Sequence, residues 1–212
     1  MTTTAEEKRA EERGESCRAK AAQISAAARH LFMGNGYRCT SMDQIAHLAD
    51  VSKTTLYAYF PSKEALFLAM IEAEKLRLGL QIPEEIPEGP IDVRGLLSGI
   101  ARVLTNLMTD QSLMGLFRTV LAESGQSPEL GRAIWDAGPK RFSNRIAVLL
   151  ERLSEAGYLK VDDPSLAASR FLALVRGDWH LHTLMDCQFV PDKALLNQHA
   201  DQAVDWFLQH YR

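Results

Sequence analysis

The 212-residue sequence is poor in cysteine, with Cys17, Cys39 and Cys187 widely spaced and no C-x-x-C pair. An odd, scattered set excludes a disulfide framework and a cysteine-rich zinc module, and suits a reducing compartment. Long apolar runs are missing: no stretch approaches the ~20 residues of a membrane-spanning helix. The opening MTTTAEEKRAEERGE lacks the apolar core of a secretory leader. These absences predict a cytoplasmic protein with no membrane partner. Catalytic motifs are lacking too. There is no G-x-S-x-G, no H-E-x-x-H and no P-loop, so no enzyme, cofactor or metal is expected. Gly34-Asn35-Gly36 reads as a helix stop rather than a phosphate cradle. His180 and His182 are two residues apart, diverge by ~200° on a helix and cannot share one metal.

Excess charge of either sign is also absent, with 24 Lys+Arg against 27 Asp+Glu and a formal net charge of −3. That average hides a division. Residues 1–15 form a polar arm of interleaved acids and bases with almost nothing to bury, so a disordered or frayed segment is expected. Residues 16–65 carry Arg18, Lys20, Arg29, Arg38, Lys53 and Lys63 against Asp43, Asp50 and Glu64, a net +3. Residues 66–212 are net acidic. A basic segment ahead of an acidic body is either chance or a nucleic-acid-binding head on a body with another task.

Strand alternation is missing as well, and apolar positions recur at helical spacing throughout. The predicted fold class is all-α. The first helix runs from Cys17 to Phe32. The second starts at Ser41, where Gln44 three residues later completes a capping-box pattern. Ser52 caps a third, Lys53 to Tyr59, and Ser62 a fourth, Lys63 to about Leu80. Gln81–Pro90, with three prolines, must be a loop. Further helices are expected at about 91–109, 112–124, 128–156 with an interruption at Gly138-Pro139, 163–186 and 193–210.

The segment TSMDQIAHLADVSKTTLYAYFPSK, residues 40–63, is the informative one. A short helix, a tight turn and a second short helix make a helix-turn-helix, whose second helix reads the DNA major groove. Ile45, Ala49, Val51 and Leu56 supply the packing. That leaves Ser52, Lys53, Thr54, Thr55, Tyr57 and Tyr59, a face of hydroxyls, phenols and one ammonium that suits phosphates and base edges. The bland alternative is a solvated polar face on a helical hairpin.

The stretch VSKTTLYAYFPSKEAL resembles the signature of the TetR/AcrR family of bacterial one-component transcription regulators. Val51, Ser52, Leu56, Tyr57, Tyr59, Phe60, Lys63, Glu64 and Leu66 match that pattern, and Thr40, Ile45, Ala46 and Ala49 match the run before it. Thr54 stands where Gly or Ala is common. The resemblance implies phosphate contacts from Thr40, Tyr59 and Lys63, and groove positions for Ser52, Lys53, Thr54, Thr55 and Tyr57. Ser41, beside Thr40, joins the DNA-binding set. The position of Arg18 and Lys20 at the start of the first helix adds two phosphate contacts. Domain organisation follows: arm 1–15, DNA-binding head 16–65, ligand-binding and dimerisation body 66–212.

Within the body, FRTVLAESGQSPELGRAIWDAGPKR (117–141) is similar to the C-terminal domain of AefR-like members. The last two helices are the dimer candidates. One carries Leu166, Phe171, Leu172, Val175, Trp179 and Leu184, and the other Leu195, Leu196, Val204, Trp206, Phe207 and Tyr211. An effector pocket is placed at Met70, Leu104, Met108, Phe117, Trp135, Phe142 and Trp179, whose mix suits an apolar or aromatic ligand; a plain core is the alternative. Arg118, Glu123, Asp178 and His182 are the polar groups available to orient that ligand. The implied function is a repressor that binds a palindromic operator on double-stranded DNA as a homodimer and is released by a small-molecule effector.

Overall fold

The structure is a computed structural model and describes residues 3–77, 82–83, 89–126 and 128–212. Among these residues every regular element is helical. The chain divides into two compact units, Met1–Met70 and Ile71–Arg212.

The first unit begins with α1, Thr3–Asn35, a helix that starts well before the predicted Cys17. Helical backbone therefore extends through the polar arm, whose side chains, Lys8 apart, lie outside the described residues up to Arg13. Gly36 at φ +80° ends α1, its N–H donating to the Phe32 carbonyl at 3.0 Å. Helix α2, Met42–Leu48, opens with the predicted capping box: Ser41 Oγ accepts from the Gln44 N–H while the Gln44 side chain accepts from the Ser41 N–H. Asp50 holds φ +50° at the turn, a conformation that a short acidic side chain tolerates. Helix α3, Lys53–Tyr59, is capped by Ser52. Helix α4, Lys63–Arg77, starts with Ser62 Oγ accepting from the Ala65 N–H and contributes residues to both units.

Ile24, Ala28, Phe32, Ile45, Leu56, Leu66 and Phe67 are fully enclosed in this head. Phe32, Tyr37 and Phe67 form an aromatic triangle with centroids 5.2–5.4 Å apart. Gln23 Nε2 donates to the Ala49 carbonyl at 2.6 Å, tying α1 to the end of α2. The orientation of α3 is thereby fixed by apolar packing from every side chain that does not face outward.

In the second unit, α5 (Val93–Met108), α8 (Arg141–Glu155), α9 (Pro164–Arg176) and α11 (Lys193–Tyr211) enclose one core. Around it lie α6 (Gln111–Glu123), α7 (Pro128–Trp135) and α10 (Trp179–Met185). Arg94 and Arg102 on α5 make two-pronged bonds to Asp205 and Asp201 on α11. The interruption expected at Gly138-Pro139 is a wide helical turn, Asp136–Lys140, joining α7 to α8. A single helix over 163–186 is not what forms. Gly177, at φ +50° and ψ −154°, ends α9, and α10 restarts two residues later. Of the expected loop at 81–90, most lies outside the described residues.

Candidate nucleic-acid interface and body cavity

On α3 the apolar side is Leu56 alone, wholly buried, with Phe60 at the C-terminal boundary. With only seven residues, α3 exposes most of its circumference. Ser52, Lys53, Thr54 and Tyr57 are exposed, Tyr57 by 47%. Ser52 and Thr55 are partly committed to each other. The Ser52 hydroxyl accepts the Thr55 N–H at 3.0 Å and its oxygen lies 2.8 Å from the Thr55 hydroxyl. They build the helix start that presents the rest. Lys53 Nζ lies 2.6 Å from the Asp43 carboxylate of α2, and both are exposed. This bond, with the attraction behind it, holds the ammonium above its usual pKa. Tyr59 is half-buried, and its phenol pKa is raised chiefly by its neighbour Cys17, with desolvation adding to the effect. Arg18 is exposed with Nε donating to the Gly14 carbonyl, and Lys20 donates to the Gln23 side chain.

One residue expected to touch phosphate, Thr40, is corrected, and a second, Lys63, has further partners in the head. Thr40 is 1% exposed and its hydroxyl donates to the Gly36 carbonyl at 2.8 Å. A buried, already bonded hydroxyl reaches no phosphate. Lys63 Nζ donates to the Tyr37 and Thr40 carbonyls, each at 3.0 Å, and sits 4.3 Å from the Tyr37 ring centroid. Two of its three N–H donors pin the turn between α1 and α2 to the start of α4. Both are lock residues that hold the presenting frame.

The second unit encloses a cavity of about 230 Å³. Leu104, Met108, Phe117, Trp135 and Phe142, all expected from the sequence, line it. Met70 is buried in the first unit and Trp179 lies elsewhere, stacked near Phe189 with centroids 6.2 Å apart. These two expectations are corrected, because helical periodicity marks a residue as buried without saying against what. The polar groups named from sequence are absent from the wall as well: Arg118 donates to the Thr183 carbonyl and to Gln111. Arg176 and His180 take that place. Four residues apart, they have the spacing that sets two side chains on one helix face, which is the signal in the sequence that could have found them. His180 Nδ1 lies 3.5 Å from the Met108 carbonyl, and burial chiefly keeps its imidazole below its usual pKa, with the Arg176 charge adding to the effect.

The apolar stripes of the last helices split in two. Phe171, Val175, Leu196, Val204, Phe207 and Tyr211 face the core of this unit and are unavailable to a partner. Leu166, Leu174, Leu195 and Trp206 face outward, Trp206 by 68%.

Among the described residues no helix is long and apolar enough to cross a membrane. The family model for bacterial regulatory proteins of the tetR family matches residues 24–70. The model for the AefR-like transcriptional repressor C-terminal domain matches residues 95–212. The solved structure of the flavonoid-responsive regulator FrrA is 36% identical, covering 92% of this chain and 97% of that one, with a TM-score of 0.73. A TetR-family regulator from Mesorhizobium loti MAFF303099 is 30% identical over 92% of this chain and 98% of that one, with a TM-score of 0.72. The transcriptional regulator RutR of Escherichia coli K12 is 51% identical over 53 residues, 25% of each chain. That match spans a quarter of the curated relative's length. These models and relatives are regulators of transcription rather than enzymes. A DNA-presenting helix-turn-helix in the first unit, and a C-terminal domain model filling more than half of the chain, place this protein in the TetR family of DNA-binding transcription regulators.

Proposed function

We propose that the protein is a repressor in which the segment 16–65 reads a pseudo-palindromic operator, the segment 66–212 dimerises, and a small aromatic effector in the body releases the DNA. The observation that carries this reading is the outward face of α3, where Thr54 and Tyr57 stand exposed on a head packed tightly beneath them. A small rigid helix of this kind reads only a few base pairs. Two heads about 34 Å apart read a two-fold-related pair of half-sites. In this reading Ser52, Lys53, Thr54, Thr55 and Tyr57 lie in or beside the groove, and Arg18, Lys20, Ser41 and Tyr59 approach phosphates.

The outward residues of α9 and α11, Leu166, Leu174 and Trp206, supply the dimer contact. Leu174 and Trp206 line one surface groove with Ala173 and Phe207, an apolar patch that a partner would cover. The cavity with Phe117, Trp135 and Phe142 takes the effector. The relative FrrA is named as flavonoid-responsive, in keeping with a flat aromatic ligand. Release follows from differential affinity: an effector that prefers one body conformation shifts the population away from the DNA-binding one.

Selection of sites from random DNA, followed by gel-shift titration across a salt series, tests the reading. The expected result is a symmetric site with saturable, salt-sensitive binding. Tyr57→Ala is expected to lower operator preference by roughly tenfold with little change in non-operator binding, since a base-edge contact carries about 1–3 kcal/mol. Retained discrimination would remove Tyr57 from the groove.

A further inference from the structure

The body cavity has an unusual chemical balance. Among the described residues, Arg176 and His180 are the polar side chains in a wall otherwise made of Leu, Ile, Met, aromatic rings, Gly138 and Pro139. Arg176 has no carboxylate within ion-pair distance among the described residues. It is exposed as well as cavity-lining, so it stands at the boundary between the apolar wall and water. Four other arginines of this unit are committed. Arg94 and Arg102 grip Asp205 and Asp201, Arg118 holds the Thr183 carbonyl, and Arg170 donates to the Tyr211 hydroxyl.

On its cavity side a guanidinium set against low-polarity walls is less screened than one on an open surface, so an anion in the cavity is attracted more than one in bulk water. Its planar set of donors matches a carboxylate or another charged oxygen. His180 does not compete as a second cation. Burial and the nearby Arg176 charge favour the neutral ring. With Nδ1–H directed at the Met108 carbonyl, Nε2 keeps a lone pair that accepts from a ligand hydroxyl. The rings of Phe117, Trp135 and Phe142 favour a flat partner, and the volume of about 230 Å³ limits it to a small one.

We infer that the effector is a small aromatic molecule bearing an acidic oxygen, carboxylate or phenolate, which pairs with Arg176. The inference rests on the reading of the cavity as the effector site. Neutral aromatics of the same shape bind more weakly, and cations are repelled.

The test is calorimetric titration of the full chain at mildly alkaline pH with two matched pairs of probes: naphthoate with naphthamide, and a hydroxyflavone with its methyl ether. The ionisable member of at least one pair is expected to bind about tenfold tighter than its neutral partner. Arg176→Gln is expected to bring the two members within about twofold of each other, chiefly by weakening the ionisable one. Arg176→Lys, which keeps the charge, retains part of the preference. A preference in the naphthalene pair supports an aromatic acid, and one in the flavone pair supports a phenol. Equal affinity within both pairs, or a preference that survives Arg176→Gln, overturns the inference and leaves the cavity reading standing. Failure of all four probes to bind overturns both.

Discussion

The contrast between Lys53 and Lys63 shows what decides a basic residue's role. Each was an equal candidate for phosphate on chemistry alone. Lys63 is anchored by two carbonyl acceptors and an aromatic face. Lys53 is held by a carboxylate in water, a pair that contributes little to stability and exchanges easily. Lys63→Ala is therefore expected to destabilise the head by about 2 kcal/mol, the scale of hydrogen bonds from a charged donor. Chemical denaturation measures this, and the salt slope of DNA binding by the folded fraction should stay unchanged. A stable variant with a flattened slope would show that Lys63 binds phosphate rather than locking the head. Asp43→Asn acts in the opposite direction. It frees Lys53 and removes a carboxylate from the DNA-facing surface. Affinity for non-operator DNA is expected to rise several-fold at low salt, with the log–log slope steeper by about 0.9. An unchanged slope would show that Asp43 does not hold Lys53 away from the backbone.

At the scale of elements, caps and breaks were the most legible features. Ser41 with Gln44, Ser52 and Ser62 each start a helix where the sequence placed one, since a cap needs only a side chain and the N–H groups two or three residues on. The break at Gly177 was not legible. Its neighbours keep helical periodicity, and glycine alone does not stop a helix. The reason lies elsewhere in the chain: a Cβ at this position would meet the His199 ring at 2.8 Å, and that ring is held by a contact of its Nε2 with the Val175 carbonyl at 3.1 Å. Gly177→Ala is expected to cost about 2 kcal/mol from strained backbone alone, more if His199 cannot yield. Thermal and denaturant unfolding would measure it. Wild-type stability would mean that α9 and α10 can merge into one helix. Arg176 and His180, four residues apart across this break, both line the cavity.

For the whole molecule, the open question is how the second unit covers its outward apolar face. The buried half of each terminal stripe is accounted for by the core. Leu166, Leu174 and Trp206 are left. Trp206→Glu puts a carboxylate into the proposed contact, where an unpaired charge costs several kcal/mol. Sedimentation should shift toward the monomer, and operator affinity should fall because two heads no longer act together. The helical fold of the unit should persist in far-ultraviolet circular dichroism, since Trp206 is mostly exposed within its own unit, while the unfolding midpoint loses the contribution of the dimer. A variant that remains dimeric would move the contact to another face.

Local rules settled what local chemistry can settle. The all-helical class, the helix-turn-helix, the capping serines and the resemblance of VSKTTLYAYFPSKEAL to a regulator family are carried by residues a few positions apart. Periodicity along one helix is a property of that helix. The tertiary structure decided which polar groups are left over. Thr40 was withdrawn from the DNA set by a carbonyl within its own turn, and two of Lys63's donors are taken by carbonyls 26 and 23 residues away. Met70 and Trp179 were withdrawn from the cavity set, and Arg176 and His180 entered it. A side chain's donors and its apolar faces are fixed by its type. Whether they are already satisfied depends on residues that meet only when the chain has folded.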